Sequence, residues 1–86
     1  MGIYRDNFAK AFVQLLEQSG VTCYQIEGYT GLNQAYLSRL KKGEKSNPSP
    51  ETIMKISLAL AHFSSKITIH DIEGLFRSVG RSVTKD

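Results

Sequence analysis

Gln34, Ala35 and Arg39 offer three kinds of contact to a flat, hydrogen-bonding edge. A glutamine amide can pair two-pronged with adenine, an arginine fork can pair with guanine, and an alanine methyl can lie against the methyl of thymine. At about 100° per residue, Ala35, Ser38, Arg39 and Lys42 fall on one side of a helix. Leu37 and Leu40 fall on the other, with Tyr36 on their flank. Gln34 projects from the first turn, where a recognition helix touches base edges. A plainer reading exists for the charges. Arg39, Lys41, Lys42 and Lys45 could simply solvate a helix C-terminus, where cations complement the helix dipole. The way this helix is set in the chain separates the two.

The setting is defined by caps. In Thr22-Cys23-Tyr24-Gln25 the Thr22 hydroxyl can accept the amide hydrogen three residues on while the Gln25 side chain reaches back to the Thr22 amide, forming a capping box. Val21 before the cap and Ile26 after it can close as a hydrophobic staple that fixes the direction of chain entry. The same pattern recurs at once: Asn33 is a strong cap residue, and Leu32 and Leu37 occupy the two staple positions. Tyr29, Thr30, Gly31 and Leu32 are left to join the helices, and Gly31 suits the left-handed backbone of a sharp turn. Two short helices and a tight turn make a helix-turn-helix, with its second helix over residues 33–42. In that setting the solvated-end reading of the charges becomes the weaker one.

The remaining chain supplies a core. Phe8, Phe12, Leu15 and Leu16, widened by Ala9 and Val13, give an amphipathic first helix from Asp6 to Ser19 that stops at Gly20. Gly43 to Pro48 has loop composition. Ser49-Pro50-Glu51 announces a fourth helix with a hydroxyl cap, proline at the first helical position and a carboxylate near the positive dipole end. Its expected buried face is Ile53, Ile56, Leu60 and Phe63, helped by Met54 and Leu58. Thr68 and Asp71 form a second box, with Ile67 and Ile72 as staple, opening a fifth helix whose apolar side is Ile72, Leu75, Phe76 and Val79 up to Gly80. No alternating strand pattern or repeat occurs. The expected fold is all-α with five helices, one domain over residues 1–86 with its core at about 6–79 and frayed termini.

Composition narrows the function. The 86 residues carry a formal charge of +3, and four of the eleven basic residues lie between Arg39 and Lys45, opposed only by Glu44. This concentrates positive field on one edge and favours a polyanionic partner. A single cysteine excludes an internal disulfide, and no stretch is long and apolar enough for a membrane span or a signal peptide. A cytoplasmic protein is expected, without cofactor, metal or a separate small-molecule effector domain. Cys23, His62 and His70 are the only soft ligands or nucleophiles. They fall on three different helices without ligand spacing, so they read as ordinary surface or half-buried residues rather than a metal or catalytic site.

The run Gly31-Leu32-Asn33-Gln34-Ala35-Tyr36-Leu37-Ser38-Arg39-Leu40 followed by Gly43, then Asn47-Pro48-Ser49-Pro50-Glu51-Thr52-Ile53, Lys55-Ile56 and Ala59-Leu60, resembles the lambda-repressor-like family. That family includes the phage Cro and CI repressors and the XRE-type bacterial regulators, and the similarity runs from about Phe8 to Phe76. The resemblance implies a five-helix domain that binds double-stranded DNA, typically as a homodimer on a two-fold related operator, and regulates transcription as a repressor. By matching position Gln34, Ala35 and Arg39 would read bases, while Thr22, Asn33, Ser38 and Lys42 would contact phosphates. Tyr36, Lys41, Lys45, Ser46 and Asn47 join the expected phosphate contacts.

Departures from the family pattern are specific. Cys23 stands where the family commonly has Gln, and Glu27 where it has a small Ala under the third helix. Either the helices splay or the Glu27 carboxylate reaches outward along its stem. Leu16 and Lys41 occupy positions where the family often pairs Arg with Glu, so an apolar contact between Leu16 and the Lys41 stem would replace that pair and free the ammonium for phosphate. Ile69, Ile72, Leu75, Phe76 and Val79 form a wider apolar set than one small core needs, and are the candidate dimer interface. The alternative function is an antitoxin-like interaction module whose main partner is a toxin protein.

Overall fold

Four helices of the chain open on a side chain that accepts a backbone amide, as the local chemistry requires. The computed structural model describes residues 3–44 and 48–79, with side chains from Asn7 onward. The expectations for Lys45, Ser46 and Asn47, and for the tail from Gly80, lie outside the described residues. The elements are α1 (Ile3–Ser19), α2 (Cys23–Thr30), α3 (Gln34–Lys42), α4 (Pro50–Phe63) and α5 (Ile69–Arg77). Thr22, Asn33, Ser49 and Thr68 cap the last four. Both expected capping boxes are closed: the Gln25 amide donates to Thr22 Oγ1 at 3.1 Å and Thr22 N to Gln25 Oε1 at 3.0 Å, with Thr68 and Asp71 repeating the exchange. Among the described residues there is no strand, and no helix is long and apolar enough to cross a membrane.

Two corners share one construction. After α1, Gly20 takes φ 76° and its amide donates to the Leu16 carbonyl, while the preceding Ser19 hydroxyl accepts the Val21 amide at 3.2 Å. After α2, Gly31 takes φ 82° and donates to Glu27, while the Thr30 hydroxyl donates to the Ile26 carbonyl at 2.7 Å and accepts the Leu32 amide at 3.0 Å. A glycine supplies the left-handed turn, and the hydroxyl before it satisfies an amide that the turn would otherwise orphan. The second corner is tighter than the sequence suggests. Tyr29 and Thr30 complete the last turn of α2, leaving only Gly31, Leu32 and Asn33 between the helices.

Helices α1 and α5, α1 and α3, α2 and α3, α2 and α4, and α4 and α5 pack in pairs around one core. Phe8, Phe12, Ile26, Leu37, Leu40, Ile53, Ile56, Leu60 and Leu75 are all but sealed from solvent, and Leu15, Leu16, Val21, Ala59 and Phe76 complete the cluster. Two expectations need correction. Helix α1 begins at Ile3, ahead of Asp6. On α4, Met54, Leu58 and Phe63 are exposed instead of helping the buried face. Their places are taken by Ala59 and by Ser57, whose hydroxyl is satisfied inside the core by the Ile53 carbonyl at 2.8 Å. Ile53, Ile56, Ser57 and Leu60 recur at helical spacing on the inner side, so Met54 and Leu58 must turn away. Phe63 ends the helix and meets Tyr29 and His62 edge-on at the surface.

A Cβ built on Gly31 would meet nothing within 4 Å, so any cost of a side chain there is conformational. Gly31→Ala should lose about 1 kcal/mol of stability, and Gly31→Asn less because Asn tolerates the left-handed region. Urea midpoints compare the two. Equal losses would show that the positive φ does not govern this corner.

Candidate nucleic-acid interface

Helix α3 is held by its buried side and presents the other. Leu37 and Leu40 are fully enclosed, Tyr36 and Ser38 are half-buried, and Gln34, Ala35, Arg39, Lys41 and Lys42 are exposed. Asn33 Oδ1 accepts the Ala35 amide at 2.6 Å, which fixes the first turn and leaves the Asn33 side-chain amide hydrogens as outward donors. The helix ends at Gly43 (φ 78°), where the Gly43 and Glu44 amides return to the Leu40 and Arg39 carbonyls. Arg39, Lys41 and Lys42 therefore crowd the negative end of the dipole. Among the described residues none of these three is tied into an ion pair. The ion pairs among the described residues are Lys55 with Glu51 and Arg77 with Glu73, both within single helices, with Glu73 half-buried and the other three side chains exposed. The cations of α3 are thus available to an external anion.

The neighbouring residues are placed as follows. Thr22 is exposed at the start of α2, its hydroxyl accepting within the capping box. Leu16 is buried, while Lys41 lines a shallow groove between α3 and α1 with Val13, Gln14 and Glu17. Cys23, at the family's Gln position, is half-buried. Burial pushes its thiol above the ordinary value, and the nearby Lys41 ammonium offsets part of that rise. Glu27, at the family's Ala position, reaches outward: its Oε1 accepts a hydrogen bond from Gln34 Nε2 at 2.9 Å. That contact spans α2 and α3 and is not evident from the spacing. The only hint in the sequence is a carboxylate in the last turn before the corner and an amide in the first turn after it.

The α5 set divides. Leu75 and Phe76 belong to this chain's own core and offer no surface to a partner, Ile72 and Val79 are half-buried against it, and Ile69 is 69% exposed. Leu75 and Phe76 turn inward because α5 packs on α1 and α4. His62 stacks on Tyr29 with ring centroids 4.6 Å apart, and His70 borders a cleft with Gln14, Gln18 and Asp71. Among the described residues no three His, Cys, Asp or Glu side chains gather where a metal could be held.

Comparison with known proteins is consistent with this geometry. The sequence model of the helix-turn-helix family matches residues 14–61, more than half of the chain, from the later turns of α1 to the last turn of α4. The chain is similar to the HTH-type transcriptional repressor RghR of Bacillus subtilis (strain 168), with 33% identity over 55 residues. That alignment covers 64% of this chain and 41% of the relative, so the chain spans less than half of that protein's length. No solved structure matches.

The raised Cys23 thiol gives a test of how α2 and α3 sit together. At fixed pH near neutrality the thiol should alkylate more slowly than a free cysteine, and Lys41→Met, by removing the favourable charge, should slow it further. Because the folded thiol keeps its proton to higher pH than the unfolded one, its contribution to stability is complete below the unfolded value and is lost as pH rises through the raised folded value. Iodoacetamide kinetics read by mass spectrometry check both alkylation rates. Faster alkylation of the Lys41→Met chain would contradict the placement of Lys41 beside Cys23.

Proposed function

Because this chain belongs to the lambda-repressor-like, XRE-type helix-turn-helix family, we propose that it is a transcriptional regulator that binds specific sequences of double-stranded DNA and acts as a repressor. The observation that carries the reading is the two-sided character of α3. Its inner side is locked by Leu37 and Leu40, while its outer side carries Gln34, Ala35 and Arg39 and ends in cations that join none of the ion pairs among the described residues. In this reading α3 enters the major groove, where Gln34, Ala35 and Arg39 meet base edges. Thr22, Asn33, Tyr36, Ser38, Lys41 and Lys42 then lie toward the phosphates, and Lys45, Ser46 and Asn47, outside the described residues, are proposed as further phosphate contacts from the sequence alone. The similarity to a transcriptional repressor supports repression. Regulators of this kind catalyse no reaction.

A homodimer would place two copies of α3 on successive turns of a two-fold related site. Ile69, with the half-buried Ile72 and Val79 beside it, supports a contact through α5. A protein partner such as a toxin is the alternative. The exposed aromatic cluster of Tyr29, His62 and Phe63 favours it, because such a cluster is a common anchor in protein interfaces. Co-purification of a second small protein would favour that reading over a lone dimer whose DNA affinity falls with salt.

Selection from a randomised duplex pool, followed by titration of selected and scrambled duplexes across salt, tests the DNA reading. A two-fold related motif bound far above scrambled DNA is expected, whereas weak binding that merely fades with salt would reduce α3 to a basic surface. On the selected site Arg39→Ala should cost about 1 to 3 kcal/mol and relax one base pair, while Lys42→Ala should weaken every duplex alike. Equal losses on all sequences from both variants would overturn the assignment of Arg39. Ile69→Lys should weaken self-association about tenfold in sedimentation equilibrium without loss of helical signal. An unchanged association constant would move the dimer contact away from α5.

A further inference from the structure

We propose that Glu27 is the positioning residue that sets the sequence preference of Gln34. The inference rests on the DNA reading above and deepens it.

A glutamine amide presents one acceptor and two donor hydrogens, and a free one can turn either end toward a base. An ionised carboxylate only accepts. The 2.9 Å contact from Gln34 Nε2 to Glu27 Oε1 therefore fixes the sense of the amide, because the flipped form would set oxygen against oxygen. The nitrogen is held back toward α2. The Gln34 oxygen and the second amide hydrogen remain free, and together they make an acceptor and donor side by side, the complement of the adenine major-groove edge. Fixing the amide before binding also removes rotamer freedom that a long polar side chain would otherwise lose in the complex.

The support behind Glu27 is rigid. Its own carbonyl accepts the Gly31 amide at 2.8 Å, so its backbone belongs to the corner that joins the two helices. Among the described residues no cation is ion-paired with the Glu27 carboxylate, so it also repels phosphate on every sequence. Glu27 thus lowers general affinity while raising discrimination at one base pair.

The wild-type chain, Glu27→Ala, Glu27→Gln and Gln34→Ala would be titrated against the duplex that the wild type selects and against duplexes changed at each base pair in turn. Glu27→Ala should lose about tenfold discrimination at the base pair that Gln34→Ala also relaxes, while binding scrambled DNA more tightly. Glu27→Gln should restore the discrimination, because its side-chain oxygen can accept the same hydrogen, yet keep the tighter scrambled binding. In the free chain, the Gln34 side-chain amide resonances should move in Glu27→Ala while those of Gln14 and Gln18 do not. Unchanged preference at every base pair in Glu27→Ala, or one common factor on all duplexes, would overturn the proposal while leaving the DNA reading intact. A wild-type chain with no sequence preference would instead overturn the DNA reading, and an unmoved Gln34 resonance would separately dispose of the amide contact.

Discussion

The corner between α2 and α3 is the constraint on which the candidate interface depends. Only three residues connect the helices, and they divide the work: Gly31 adopts the positive φ, Leu32 packs against the core, and Asn33 caps the following helix. The Thr30 hydroxyl adds a bridge from the end of α2 to the turn. These bonds are short-range and would form readily in any chain of this sequence, but by themselves they would not hold a nine-residue helix in water. The burial of Ile26 on one side of the corner and Leu37 and Leu40 on the other supplies what local bonding lacks. Local geometry sets the angle, and the core makes it persist.

From that division follows the usefulness of α3. A helix this short can display polar and cationic side chains over most of its exposed face only because two leucines anchor it completely. Its last turn carries Arg39, Lys41 and Lys42, whose mutual repulsion is eased by the carbonyl end of the dipole and by solvent. With no anion among the described residues ion-paired to them, that field is not neutralised inside the fold. The same cannot be said of the ion pairs of α4 and α5, which join neighbours on one helix near the surface and add little to stability.

Most of the scaffold is legible from residue types because caps and corners are local. Thr22, Asn33, Ser49 and Thr68 each announce a helix, and Gly20, Gly31 and Gly43 each end one, with positive φ at all three glycines. What is not legible depends on which side of a helix meets its neighbours. Met54, Leu58 and Phe63 are as apolar as the residues that are buried, and nothing in their own spacing announces that Ser57 and Ala59 would be preferred inside. Close helix packing selects small residues there, and the Ser57 hydroxyl is tolerated only because a backbone carbonyl lies within reach. On α5 the apolar set looks too wide for one core, yet Leu75 and Phe76 are taken up by it. In the candidate site the exposure of Gln34, Ala35 and Arg39 follows from the helical period, whereas the contact between Glu27 and Gln34 depends on how two helices cross and cannot be read from either alone.

That contact also resolves how a carboxylate stands where the family keeps a small residue. Glu27 is half-buried, so its stem lies against the helix pair while its charged end emerges beside the first turn of α3. There it accepts the side-chain hydrogen bond of Gln34 instead of lying beneath the helix. The consequence is a helix with a negative neighbour at its first turn and a cluster of cations at its last. On the proposed reading, a polyanion approaching α3 is drawn toward the Arg39 to Lys42 end and discouraged from the Gln34 end. Phosphate is thus held most strongly where Lys41 and Lys42 stand and least strongly beside Glu27, even though Arg39 at the cationic end meets a base and Thr22 and Asn33 at the other end meet phosphates.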